Sequence, residues 1–282
     1  MKRALVFLGD IHCGSTVGLA HPQGVMHDDG AWIYPSKVQL YLWEKYQEFC
    51  RDAAELAEGR KTHIFLMGDL VDGDHHRTHQ VVSNDQGLHV QIAVDVLLDG
   101  LMRIPHESVH AVRGTPSHVG KAAGLEAAVM ARLSREGCDT IVKDEEGRMV
   151  HPFVYADFEG TLIDARHHGR QGQREHTRGS YSKLYGLDVY LSHHLEGRRP
   201  PDISVRGHLH KAMDSGPDHR GITRTIQLPC FQLHTEWTRR ISIETMPDIG
   251  GCVILLDDGK PTVELLLYKP EPDSQKIWRP DD

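Results

Sequence analysis

The chain has 282 residues, a net charge of −8 and a hydrophobic content of 39%, which is enough apolar material for a packed globular core. No apolar stretch approaches the ~18 uncharged residues of a transmembrane helix, so we expect no membrane partner. The negative net charge argues against a protein that coats nucleic acid with a broad positive surface, but it does not exclude a local basic groove. The unusual number in the composition is 21 histidines.

The cysteines indicate the compartment. They are five in number, scattered, and form no C-x-x-C pair, so we expect neither a disulfide framework nor a zinc–thiolate site. The apolar run that follows Lys2 and Arg3 ends at Leu8, which is short for a signal peptide. A reducing, cytoplasmic setting is the prediction.

The first half of the chain alternates short apolar runs with amphipathic stretches, a rhythm that indicates βαβ units and a parallel or mixed sheet. Residues 13–36 are polar and Gly-rich and are predicted to form a long insertion. The predicted elements are a strand at Ala4–Leu8, a helix between Ser36 and Gly59, a strand at His63–Met67, a helix at Leu88–Ile104, a strand at Ser108–Val112 and a helix at Ala122–Arg135.

After about residue 138 the pattern becomes richer in strands. Strands are predicted at Thr140–Val142, Val150–Tyr155, Thr161–Arg166, Ile203–Val205 and Thr223–Leu228, a helix over 181–196, and a hairpin of Cys252–Leu256 with Thr262–Tyr268. We therefore predict an α/β fold in which a second sheet from the C-terminal half packs on the first. One domain over residues 1–270 is expected, followed by a frayed tail at 271–282.

Polar residues that suit metal chemistry follow several predicted strands, and ligands bind at the carboxyl ends of strands in open α/β sheets. Carboxylates and imidazoles together suit Mn²⁺, Fe or Zn²⁺. Asp-x-His and His-x-His place two donors on one side of an extended segment. The segments are Gly9-Asp10-Ile11-His12, Gly68-Asp69-Leu70-Val71-Asp72, Gly114-Thr115-Pro116-Ser117-His118, His167-His168-Gly169 and Gly207-His208-Leu209-His210.

The order of these segments resembles the calcineurin-like metallophosphoesterase superfamily, whose motifs run G-D-x-H, G-D-x-x-D, G-N-H-[DE], a His usually followed by Gly, and G-H-x-H. Four blocks match in order across residues 9–210. The resemblance implies two packed mixed β-sheets flanked by helices, a four-layer sandwich. It also implies two divalent cations, with manganese expected first and iron or zinc as alternatives.

Carried over residue by residue, the resemblance implies a ligand set for each metal. Asp10, His12 and His210 would hold the first metal, and Asp69 would bridge both. His168 and His208 would hold the second, His168 being favoured over its neighbour His167 because Gly169 follows it. Asp72 would orient a ligand through a hydrogen bond.

The third block departs from the family pattern because Gly114-Thr115-Pro116-Ser117-His118 lacks the Asn that ligates the second metal. Thr115, Ser117 or a water would fill that place, and we take Ser117 as the ligand. His118 is the candidate for the family's catalytic histidine. Arg113 and Arg170 are candidates for contact with the substrate phosphate.

The resemblance implies a hydrolase of phosphate esters in which a hydroxide bridging the metals attacks phosphorus. Gly73-Asp74 follows the second block where protein phosphatases of the superfamily carry Arg-Gly, so a phosphodiesterase or nuclease is favoured, with DNA or a nucleotide as candidate substrate. The alternatives are a phosphomonoesterase and a metal-binding scaffold that has lost catalysis. The oligomeric state is left open.

Overall fold

The computed structural model of the chain describes residues 1–27, 29–75, 78–170, 177–217, 220–241 and 246–269. The predicted tail at 271–282 lies outside the described residues. The strands are β1 Lys2–Leu8, β2 Val25–Met26, β3 Trp32–Ile33, β4 Lys61–Leu66, β5 Ser108–Val112, β6 Val150–His151, β7 Val154–Phe158, β8 Thr161–Arg166, β9 Ile203–Arg206, β10 Met213–Asp214, β11 Arg224–Gln227, β12 Ile249–Asp257 and β13 Lys260–Tyr268. The helices are α1 Lys37–Ala57, α2 Gln86–Leu98, α3 Pro116–Val119, α4 Gly124–Arg135, α5 Arg178–Leu195 and α6 Glu236–Ile241, with a 3₁₀ turn at Leu101–Arg103.

Two mixed sheets carry the fold. The six-stranded sheet has the order β13-β12-β1-β4-β5-β6, and the five-stranded sheet has the order β10-β11-β9-β8-β7. The neighbours β1, β4 and β5 run parallel in the first sheet, and β8, β9 and β11 run parallel in the second. The predicted fold class, two packed mixed sheets flanked by helices, is confirmed.

Strand β1 shows why the two sheets pack together. Its alternate residues point to opposite faces, as the two-residue period of a strand requires. Ala4, Val6 and Leu8 enter the apolar core that also contains the buried residues of α1, α2 and α4. Leu5 and Phe7 enter a second core that they share with strands of both sheets. A strand that is buried on both faces has a continuous apolar sequence, and the apolar run Ala4–Leu8 predicted β1 for this reason.

Helix α1 begins as its sequence predicts. The side chain of Ser36 accepts a hydrogen bond from the backbone N–H of Gln39, and the Gln39 side chain accepts one from the backbone N–H of Ser36. This reciprocal capping box satisfies two donors that the first turn of a helix leaves unpaired. Beyond Ala57, where the helix ends, Gly59 adopts a positive φ of 70°.

Three predicted elements differ from the structure. The strand predicted at Val150–Tyr155 is divided into β6, which belongs to the six-stranded sheet, and β7, which belongs to the five-stranded sheet. The helix predicted to reach Ile104 ends at Leu98. Beyond it, Gly100 packs so closely on Tyr46 that a Cβ there would lie 2.3 Å from the Tyr46 ring. The hydroxyl of Tyr46 accepts a hydrogen bond from the backbone N–H of Leu101. In place of the strand predicted at Thr140–Val142, only an isolated bridge between Ile141 and Val109 is present among the described residues.

Candidate metal centre

The polar segments meet because the carboxyl ends of strands from both sheets face one space. Asp10 follows β1 and Asp69 follows β4, while His208 follows β9 of the other sheet. The backbone N–H of Asp10 donates to the carbonyl of Gly68 at 2.9 Å, and that of His208 donates to Oδ2 of Asp10 at 2.9 Å. The second of these bonds joins the two sheets at the site.

The backbone is strained at this point. Among the described residues, eight non-glycine residues have a positive φ, and five of them are Asp10, His12, Asp69, His208 and His210. A left-handed backbone costs a non-glycine residue about 1–3 kcal/mol and persists only where the surroundings enforce it, often at functional sites. The strain falls on five of the residues that the motifs predict as ligands.

The first candidate metal position lies beside Asp10. Its Oδ1 atom is fully buried and accepts no hydrogen bond within the described structure. Nε2 of His210 lies 3.3 Å from this oxygen and Nε2 of His12 lies 4.0 Å from it. Burial would raise the pKa of Asp10, but the neighbouring His167 and His210 hold it below its usual range, so the carboxylate is charged. These three residues form one of the clusters able to hold a metal ion.

The protonation of His12 strengthens this assignment. Its Nδ1 lies 3.0 Å from Oδ1 of Asp72, and a carboxylate only accepts, so Nδ1 carries the proton. Nε2 of the neutral ring therefore presents a lone pair, and it faces Nε2 of His210 at 3.3 Å. A lone pair directed at a second ring nitrogen and at a carboxylate calls for a proton or a cation between them.

His167 repeats the pattern at the carboxylate of Asp69. Its Nδ1 donates to the carbonyl of Met67 at 2.7 Å, so Nε2 is directed at Oδ2 of Asp69, 3.0 Å away. Burial opposes protonation of His167, but Asp69 and Asp10 raise its pKa to about 9. Without a metal, a proton on Nε2 of His167 therefore lies between this ring and the carboxylate of Asp69.

A second cluster joins the histidines of the fourth and fifth blocks. The nitrogens of His167, His168 and His208 lie close enough together to share one ion. The rings of His168 and His208 are 4.6 Å apart, and His168 is exposed whereas His167 is buried. Burial and the nearby His167 lower the pKa of His208 to about 4, which leaves its ring neutral and able to ligate. The sequence favoured His168; the structure brings both members of the pair to the site.

His118 lies at the edge of the site, on α3. Its Nδ1 donates to the backbone carbonyl of Asp72 at 2.9 Å, and its ring centre is 4.7 Å from that of His12 and 4.2 Å from that of His75. Burial lowers the pKa of His118, but the hydrogen bonds to Asp72 and the negative charges of Asp69 and Asp72 together outweigh burial, so the pKa is raised. A raised pKa is the property that a proton donor to a leaving oxygen needs.

Three predicted site residues do not join the cluster of converging donors. Ser117 is exposed on α3, and Arg170 is exposed two residues after His168. Arg113 is half-buried, and its Nε atom is buried without a hydrogen-bond partner among the described residues.

Two supporting residues are not visible in the motifs. Glu126 on α4 is fully buried, and its Oε2 accepts a hydrogen bond from the backbone N–H of Gly114 at 3.0 Å. Gln232 donates through Nε2 to Oδ1 of Asp72 at 3.4 Å, and the backbone of Phe231 beside it donates to the Asp10 carbonyl. A lone acidic residue in a helix and a Pro-Cys-Phe-Gln segment carry no sequence signal that would place them here.

The donor set of this site fits divalent cations. Ionised carboxylates and neutral imidazoles are the ligands that Mn²⁺, Fe and Zn²⁺ share. Ring nitrogens and carboxylate oxygens that face one another across about 3–4 Å are bridged either by a proton or by a cation.

No protein-family model matches the chain, and no curated protein matches it. Solved structures do match over nearly its full length. A predicted phosphoesterase from Streptococcus pneumoniae is 11% identical with a TM-score of 0.38, over 97% of this chain and 95% of that chain. An archaeal phosphodiesterase is 12% identical with a TM-score of 0.42, over 95% and 100%. A metallophosphoesterase from Sphaerobacter thermophilus is 10% identical with a TM-score of 0.35, over 94% and 89%.

At these identities and TM-scores the likeness carries no information on activity. None of the helices in the described part of the chain combines the length and apolarity that a membrane crossing needs.

Proposed function

We propose that the chain is a metal-dependent phosphoesterase that holds two divalent cations and hydrolyses phosphodiesters. The observation that carries this proposal is the buried Oδ1 of Asp10, which accepts no hydrogen bond although the Nε2 atoms of His210, His12 and His167 lie 3.3, 4.0 and 4.0 Å away. A buried, ionised carboxylate oxygen that accepts no hydrogen bond is costly unless a cation pairs with it.

The first cation would be held by Asp10, His12 and His210, and Asp69 would reach both. The second would be held by His208 and by the His167–His168 pair, with His167 as the buried donor. Manganese suits this mixed oxygen and nitrogen set, and zinc and iron suit it as well. When bound, the two cations supply Lewis acidity, which lowers the pKa of water and offsets charge on phosphoryl oxygens.

The protein itself supplies orientation and proton transfer. Asp72 fixes the ring of His12 through the bond to Nδ1. His118 is half-buried, and its bonded Nδ1 leaves Nε2 as the atom free to donate a proton to the leaving oxygen. Its raised pKa keeps that proton available near neutral pH.

A diester is favoured because Gly73-Asp74 follows the second block in place of the Arg-Gly of protein phosphatases. DNA or a nucleotide is the candidate substrate, with Arg113 and Arg170 as candidate phosphate contacts. Five free cysteines, four of them buried, fit a reducing cytoplasm.

Purified protein loaded with Mn²⁺ and offered an aryl phosphodiester and the matching monoester tests the proposal. We expect turnover of the diester and its loss in Asp69→Asn. Turnover of the monoester alone would favour a phosphomonoesterase. Two bound metals without any turnover would favour a scaffold that has lost catalysis, and unchanged turnover in Asp69→Asn would contradict the metal assignment.

A further inference from the structure

Thr115 occupies the centre of the second cluster. Its Oγ1 lies 2.9 Å from Oδ2 of Asp69, 3.1 Å from Nε2 of His167, 3.2 Å from Nδ1 of His208 and 3.4 Å from Nε2 of His168. A hydroxyl has one proton and donates one hydrogen bond. The hydroxyl can therefore donate to only one of these four groups, and all four, which carry atoms able to ligate a cation, converge on its oxygen.

The position of Thr115 is fixed by its backbone. Its N–H donates to Oδ1 of Asp69 at 2.6 Å, so main chain and side chain both contact the same carboxylate. The approach depends on Gly114, because a Cβ at that residue would lie 2.3 Å from both the backbone nitrogen and Oδ1 of Asp69. The N–H of Gly114 is in turn held by the buried Glu126. The hydroxyl is thus built into the site and is not a surface group that happens to turn toward it.

We propose that Oγ1 of Thr115 is a ligand of the second cation and takes the place of the amide oxygen that the third block lacks. This rests on the proposed function, since it presupposes two bound cations. A hydroxyl oxygen and an amide oxygen are both neutral, hard donors, and Ser or Thr hydroxyls hold Mg²⁺ in nucleotide-binding loops. The exposed Ser117 is the alternative, and it lacks the contacts that Thr115 makes.

The test counts cations and does not depend on turnover. Full-length protein is freed of metal with a chelator and titrated with Mn²⁺ by calorimetry, and electron paramagnetic resonance then distinguishes an interacting Mn²⁺ pair from a single ion. We expect two ions in the wild type. Thr115→Val, which keeps the side-chain volume and removes the oxygen, should keep one ion and bind the second at least 10-fold more weakly.

Three further variants make the result specific. Thr115→Asn restores an amide oxygen and Thr115→Ser keeps the hydroxyl, so both should bind two ions, and Thr115→Ala should match Thr115→Val. The Ser and Ala pair decides the question if the Val variant does not fold. Two ions with unchanged affinity in the Val and Ala variants would overturn the proposal, as would loss of the second ion in Ser117→Ala alone. A wild type that fails to bind two ions would instead overturn the proposed function.

Discussion

Nδ1 of His12 donates a hydrogen bond to Oδ1 of Asp72 at 3.0 Å, and this contact turns Nε2 of the same ring toward Asp10 and His210. Asp72 also lies 3.3 Å from His75 and accepts a hydrogen bond from Gln232. The second aspartate of the G-D-x-x-D block thus orients the ring of His12, which we propose as a ligand of the first cation.

The contact between Asp72 and His12 predicts that Asp72→Asn weakens metal binding at the first position. The amide keeps the shape of the side chain but loses the charge that favours the proton on Nδ1 of His12. We expect Mn²⁺ to bind about 10- to 100-fold more weakly at the first position, the range seen when a partner of a ligating histidine is changed. Calorimetric titration measures this. Asp74→Asn removes an exposed carboxylate of the same loop and should leave the affinity unchanged; equal behaviour of the two variants would contradict the orienting role.

His118→Gln should lower kcat by about 10²- to 10⁴-fold while leaving the metal content intact, because proton transfer by a positioned side chain contributes that much. A leaving group of low pKa needs less protonation, so the loss should be smaller for an aryl ester than for an alkyl ester. His79→Gln, in the exposed loop nearby, is the matched control. If turnover persists at the wild-type rate, His118 plays no part in the reaction.

Metal binding should release protons. The pKa of His167 is raised to about 9 by Asp69 and Asp10, so its ring is protonated at pH 7 in the metal-free protein. A cation needs the free lone pair and displaces that proton. We expect at least one proton to be released per chain at pH 7 and fewer above pH 9, with Mn²⁺ affinity rising over the same interval. Titration calorimetry in buffers of different ionisation enthalpy counts the protons, and a count of zero at pH 7 would be inconsistent with the site described.

Glu126 predicts a pH dependence of stability. Burial and the nearby Asp69 raise its pKa from 4.5 to about 8 in the folded protein. The unfolded chain therefore loses its proton first, and between these two pH values the free energy of unfolding falls by about 1.4 kcal/mol per pH unit. Glu126→Gln removes this contribution. In urea unfolding of the metal-free proteins, the free energy of unfolding of the variant should therefore rise relative to that of the wild type as pH increases from 5 to 8. A constant difference between the two proteins over that range would show that Glu126 does not retain its proton on folding.

The sequence predicted much of the fold because its buried strands read as continuous apolar runs. Ala4–Leu8 and His63–Met67 indicate β1 and β4 on this ground, and the strand-to-turn junctions place Asp10 and Asp69 at one edge of the sheet. Parallel neighbours necessarily bring their carboxyl ends together, so the site follows from the order of the strands.

The sequence could not predict contacts between distant segments. Which of His167 and His168 is buried depends on where β8 ends against Met67. Which of Thr115 and Ser117 contacts Asp69 depends on the short helix that begins at Pro116. Glu126 reaches the site from a helix 12 residues beyond Gly114. A shift of one residue in the pairing of a strand, or in the start of a helix, would turn a different side chain toward the site. The spacing of residues along the chain does not determine that pairing.

Anomalous diffraction from crystals of the full chain soaked in Mn²⁺ tests the central claim most directly. Two peaks per chain are predicted, one among Asp10, His12 and His210 and the other among Asp69, His208 and His167. A single peak, peaks away from these residues, or none at saturating Mn²⁺ would contradict a two-metal phosphoesterase.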